Sequence, residues 1–113
     1  MLIVLLDEPG LFVFQSPADA VRAIEPIDAE SEIRAAFDHS AVPYKVEWVR
    51  PNRHRKALFG LLQSIESGEY RFVPAGPAQP AALIELLEAH PEYTNPPEAR
   101  AGLESLLARL RAV

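Results

Sequence analysis

The stretch SEIRAAFDHSAVPYKVEWV, residues 31–49, decides how the chain folds. Ile33, Ala35 and Phe37 alternate with Arg34 and Asp38, and Tyr44, Val46 and Trp48 alternate with Lys45 and Glu47. A period of two places successive side chains on opposite faces of a strand. The intervening DHSAVP is rich in residue types that bond their own backbone in turns. Residues 32–50 therefore read as an antiparallel hairpin with one buried face. Ile33, Phe37, Val46 and Trp48 are expected to line that face.

Toward the N-terminus, LIVLL and LFVFQ are short apolar runs around DEPG, where Pro9-Gly10 supplies a turn; they read as a first hairpin. SPADAVRAI then has the marks of a helix start. Ser16 can cap, Pro17 sits at the first helical position, and Asp19 suits the positive end of the dipole. Ala20, Val21 and Ile24 form its apolar stripe, and Pro26 ends it. The acidic EPIDAESE, residues 25–32, reads as an exposed connection to the second hairpin.

Toward the C-terminus, RHRKALFGLLQSIES is ambiguous. Leu58, Leu61, Leu62 and Ile65 fall at helical spacing, Asn52 can cap, and Gly68 sits where a helix would stop, so a helix is favoured. A hairpin is the alternative, because Gly60 weakens a helix interior and ESGE can turn the chain. YRFVP is a strand ending at Pro74. PAALIELLEAH is a helix with Leu83, Leu86, Leu87 and His90 inward. The final helix is capped by Asn95, with Leu103, Leu106, Leu107 and Leu110 as its seam and Arg109 and Arg111 at its negative end. The order predicts an α+β fold in a single domain, 1–113: an antiparallel sheet of four to five strands with helices packed on one face. The leucines of residues 83–87 and 103–110 are expected to cover Ile33, Phe37, Val46 and Trp48.

The 113 residues are enough to bury roughly two thirds of the unfolded surface in one core. The formal charge of −5 argues against bulk attraction to nucleic acid or anionic membrane. Residues 1–49 hold nine acids against Arg22, Arg34 and Lys45, so the excess lies in that half. With no cysteine, disulfides, thiolate metal sites and cysteine catalysis are excluded. LIVLL is too short for a signal core and Asp7-Glu8 follows it at once, so a cytoplasmic protein is expected. No apolar run approaches the ~20 residues that span a bilayer.

Catalytic patterns are missing. His39, His54 and His90 belong to no HExxH or H-x-E motif, and the five glycines form no phosphate loop. Asp38-His39-Ser40 has the letters of a triad, but adjacent residues point different ways, and local bonding in a turn explains them. Neither catalysis nor a metal or other cofactor is expected.

Two charge clusters remain as candidate binding residues. One is acidic: Glu25, Asp28, Glu30 and Glu32. The other is basic: Arg50, Arg53, Arg55 and Lys56. Isolated exposed ion pairs contribute only ~0–1 kcal/mol, so stability alone does not require such clustering. In its general character (short, acidic, cysteine-free, α+β, without a catalytic signature) the chain resembles the immunity proteins of bacterial toxin systems. That resemblance spans the chain without a residue-level motif. It implies a protein that binds and neutralises a partner toxin, with the acidic cluster facing a basic cleft. Nucleic-acid binding through residues 50–56, with Trp48, Tyr44 or Phe59 as stacking platforms, is the alternative.

Overall fold

The turn at the centre of the second hairpin forms through the side chain that opens it. In the computed structural model, which describes residues 1–7, 10–57, 62–89 and 93–112 (backbone alone for 55–57 and 62–64), strand β3 spans Ile33–Asp38 and β4 spans Pro43–Arg50. The Asp38 carboxylate accepts the N–H groups of Ser40 at 2.8 Å and Val42 at 3.0 Å. These bonds hold Ala41 at φ 64, a left-handed conformation that costs an alanine roughly 1–2 kcal/mol. Ala41 is fully buried, and its carbonyl accepts from Gln79 at 2.8 Å, so tertiary contacts sustain the strain. His39 and Ser40 are exposed turn residues.

The remaining elements are β1 (Leu2–Leu6), β2 (Gly10–Phe14), α1 (Pro17–Ala23), α2 (Pro26–Ser31), β5 (Arg53–Ala57), β6 (Leu62–Glu66), β7 (Glu69–Pro74), α3 (Pro80–Ala89), β8 (Thr94–Asn95), a 3-10 turn (Pro97–Ala99) and α4 (Arg100–Arg111). Six strands form one sheet in the order β7-β4-β3-β1-β2-β8, while β5 and β6 pair separately. Among the described residues, all pairings are antiparallel except the short β2–β8 contact. The fold is α+β, as expected, but the sheet has six strands rather than four or five.

The helices cover both faces of this sheet, not one. A first apolar cluster joins Leu2, Val4, Ala36, Tyr70 and Phe72 to Ala20, Ile24 and Ala29 of the α1–α2 region. A second joins Ile3, Leu11 and Phe37 to Leu83, Leu87, Leu103 and Leu106 of α3 and α4. Neighbouring residues of β1 go to opposite clusters because a strand alternates, and LIVLL is apolar throughout because both of its faces are covered.

The expected shared face of Ile33, Phe37, Val46 and Trp48 therefore divides. Ala36 pairs with Tyr44 and Phe37 with Pro43, so Tyr44, Val46 and Trp48 follow Ala36 into the first cluster while Phe37 enters the second. A bulge does the rest. Leu5 pairs with Ala35, but Leu6 pairs with Ile33, and the inserted residue turns Ile33 toward the first cluster. Only Phe37 of the four lies under the α3–α4 leucines.

Three further readings change. Residues 53–57 and 62–66 are strands, not a helix; Leu58 and Leu61 lie outside the described residues. The register explains it: Arg50 pairs with Glu69 and Arg53 with Glu66 on one continuous count, so β5 and β6 prolong the β4–β7 ladder as an arm beyond the sheet. Pairing with an existing ladder outweighs a local helical spacing. The overall extents are 59 × 27 × 20 Å and the radius of gyration is 16.1 Å, against about 13 Å for a compact chain near this length. Second, EPIDAESE is not a connection but contains α2, with Pro26 at its first turn and Ala29 buried. Third, Asn95 belongs to β8, and α4 begins only at Arg100, because the prolines at 96 and 97 first shape a 3-10 turn. The inward placement of His90 lies outside the described residues.

The first helix matches its reading. Ser16 Oγ accepts the Asp19 N–H at 3.1 Å, Pro17 opens the helix, and Ala20 and Ile24 are buried. Helix α1 touches both β2 and β7, strands far apart in the sheet order, so the sheet curls around the first cluster and α1 bridges the opening.

Candidate functional site

The two charge clusters, 18 or more residues apart in the chain, meet at one asparagine. Asn52 sits between β4 and β5, and its Nδ2 donates to the Pro26 carbonyl at 2.9 Å and to the Glu30 carboxylate at 2.8 Å. Its Oδ1 accepts the Gly68 N–H at 2.7 Å. One side chain thus links α2 to both strands at the root of the arm. Gly68 is needed there because a Cβ would lie 2.6 Å from Pro51 and 2.8 Å from Asn52 backbone atoms.

Glu30 also meets His54 Nε2 at 3.0 Å. The Asn52 hydrogen bond, aided by that of His54 and by its charge when protonated, holds the Glu30 carboxyl below the ordinary carboxylate value. Glu30 is exposed, so this contact orients the surface more than it stabilises the fold.

The other acidic candidates take different positions. Glu25 is exposed at the start of α2 and makes no side-chain cap bond there. Asp28 and Glu32, four residues apart and hence on one side of the helix, are half-buried and turn to a groove beside β2. The acidic residues are therefore divided between the arm side of α2 and this groove. Glu30 contacts the arm through Asn52 and His54.

Of the basic candidates, Arg50 and Arg53 are exposed and, with Pro51, Glu66 and Ser67, line a polar cleft of about 300 Å³ at the arm's root. Among the described residues no ion pair joins either of them to Asp28 or Glu30. Arg55 and Lys56 occupy the register positions opposite Ser64 and Gln63 in the arm. Val49 and Ile65 add exposed apolar surface at 59% and 44%.

Beneath this surface lies Tyr70, whose ring stands 5.5 Å from Trp48 and 5.8 Å from Phe72. Its hydroxyl donates to the Ile24 carbonyl at 2.6 Å. Burial, with a smaller effect from the Asp28 charge, raises the phenol pKa from 10.0 to about 12. Trp48 and Tyr44 are half-buried and pack against the first cluster. Phe59 lies outside the described residues.

No family model, curated protein or solved structure matches this chain. Its function must therefore be argued from the site itself. Reading residue types alone missed Asn52, His54 and Tyr70 as organising residues. Asn52 had a helix-cap reading that used the same amide chemistry for another geometry. His54 and Tyr70 carry no spacing signal, because their partners are 24 and 46 residues away. Among the described residues no three His, Cys, Asp or Glu side chains converge as metal ligands, and no helix is long and apolar enough to cross a membrane.

Proposed function

We propose that this chain is a protein-binding module of the inhibitor or immunity type, which binds and neutralises a partner protein in the bacterial cytoplasm. The observation that carries the reading is the Glu30 carboxylate bonded to Asn52 and His54, which joins α2 and the arm into one surface of mixed sign. Binding through a surface ordered in advance avoids the entropy of ordering it on contact. Mixed charge steers encounter and sets orientation more than it adds raw affinity. In this reading Glu25 and Glu30 face basic groups on the partner, and Arg50 and Arg53 face acidic ones. The activity needs no catalytic residue and no cofactor.

The test is association with the protein captured from the native host. Converting Glu25 and Glu30 to glutamine should lower the association rate about tenfold at low salt and flatten its salt dependence. An unchanged rate and salt dependence would remove the acidic face from the reading.

A second reading has an observation of its own. Arg50, Arg53, Arg55 and Lys56 lie on or beside a two-stranded β-ribbon, a shape the major groove of DNA admits. Four phosphate contacts would give a log–log salt slope of about −3 to −4. Salt-sensitive binding to duplex DNA, lost when these four residues are neutralised, would favour this reading over the first.

A further inference from the structure

A groove of about 340 Å³ opens on the side of α2 away from the arm. Leu6, Phe12, Phe14 and Ile24 form its apolar wall, and Asp28 and Glu32 stand at its rim. Past Phe14 it meets a second hollow of about 260 Å³, which shares Val13, Phe14 and Pro96 with it and extends to Met1. The two together trace a strand edge rather than a single cavity.

The β2–β8 ladder along that edge is short for a chemical reason. The Leu11 N–H donates to the Tyr93 carbonyl at 3.2 Å, so the backbone groups of Leu11, and by alternation those of Val13, face the β8 side. Strand β8 ends at Asn95, and residues 96 and 97 are prolines without an N–H, so neither can donate to the Val13 carbonyl.

We infer that this groove takes an extended segment of a protein partner bearing a lysine or arginine flanked by apolar side chains. The inference narrows the protein-binding reading above and rests on it. Charge decides the occupant. A neutral apolar side chain alone would strip water from the Asp28 carboxylate without replacing its hydrogen bonds, and an acidic one would be repelled. A long cationic side chain lays its methylene stem on Phe12 and Phe14 and leaves its charged head at Asp28. The apolar wall and the acidic rim together supply side-chain selection.

The test uses the full chain labelled with nitrogen-15 and two capped peptides, Val-Arg-Val-Leu and Val-Glu-Val-Leu, titrated to millimolar concentration. The arginine peptide should shift the amide signals of Phe12, Val13, Phe14 and Asp28 and bind about tenfold more tightly than the glutamate peptide. Asp28→Asn, which keeps the side-chain shape, should remove most of that preference while leaving the rest of the spectrum in place. Equal affinity for the two peptides, shifts confined to β5 and β6, or no shifts at all would overturn the inference. The wild-type preference is itself a readout, so the outcome does not hang on the variant. The peptides replace the host partner, so the groove is judged separately from the inhibitor reading.

Discussion

The Tyr70 hydroxyl donates a 2.6 Å hydrogen bond to the Ile24 carbonyl, tying β7 to the end of α1 across 46 positions of chain. Tyr70→Phe removes the donor and leaves that buried carbonyl unpaired, at a cost of about 1–3 kcal/mol. The pH dependence follows from the raised phenol pKa. The folded state keeps its proton to about pH 12, while the unfolded chain releases it near 10. The stabilisation is complete below about pH 10 and is lost as pH rises toward 12. Denaturant midpoints of wild type and Tyr70→Phe should therefore differ by a constant amount at neutral pH and converge in that alkaline window.

Asn52→Ala should cost about 1–3 kcal/mol, chiefly because the Gly68 N–H loses its acceptor. It should also move the Glu30 carboxyl up toward its ordinary 4.5, since the Asn52 bond is the largest cause of its lowering. A carboxyl with a lowered folded pKa contributes stability above that ordinary value and loses it as pH falls through the folded one. The Glu30 side-chain carbon resonance, followed through acid titration, measures the shift directly. An unmoved titration in Asn52→Ala would show that the bond does not set it.

Phe37 and Trp48 lie on opposite sheet faces, in different clusters. Phe37→Ala should cost ~3–5 kcal/mol as a buried ring, and Trp48→Ala, half-buried, about 2–3 kcal/mol. The milder Phe37→Leu and Trp48→Leu can be combined. Their effects should add to within about 0.5 kcal/mol in urea unfolding, because the two rings pack into different clusters on opposite faces. Strong coupling would return both rings to one face.

Two glycines should respond in opposite directions to alanine. Gly68→Ala drives a methyl into the backbone at Pro51 and Asn52 and should destabilise by about 1–3 kcal/mol. Gly102 lies exposed in α4, where an added methyl group would meet nothing within 4 Å. Gly102→Ala should stabilise by about 0.4–1 kcal/mol, through helix propensity and a less mobile unfolded chain. Thermal melts of the two variants against wild type decide both.

Local chemistry was legible without coordinates wherever the partner lay a few residues away. The cap from Ser16 to Asp19, the Asp38 turn, and the leucine stripes of α3 and α4 each rest on short separations, and each stands in the structure. The strand periods of residues 33–38 and 43–50 were also readable, though not the bulge that turns Ile33 over. In the candidate site, the eight charged residues were visible as two clusters. That Glu30 reaches Asn52 and His54, while Asp28 and Glu32 line a groove, was not.

What the amino-acid order determined by itself is therefore the list of elements with strong local signals: both early hairpins, α1, the β7 run and the two leucine helices. What only the tertiary structure decided is which face each strand presents, that residues 53–57 and 62–66 extend a ladder instead of coiling, and how Asn52 joins the charge clusters. The physical reason is the range of the forces involved. Capping, turn bonding and periodicity act over three or four residues. Register, bulges and the choice between helix and strand in an ambiguous run depend on a partner strand that only the folded chain brings alongside.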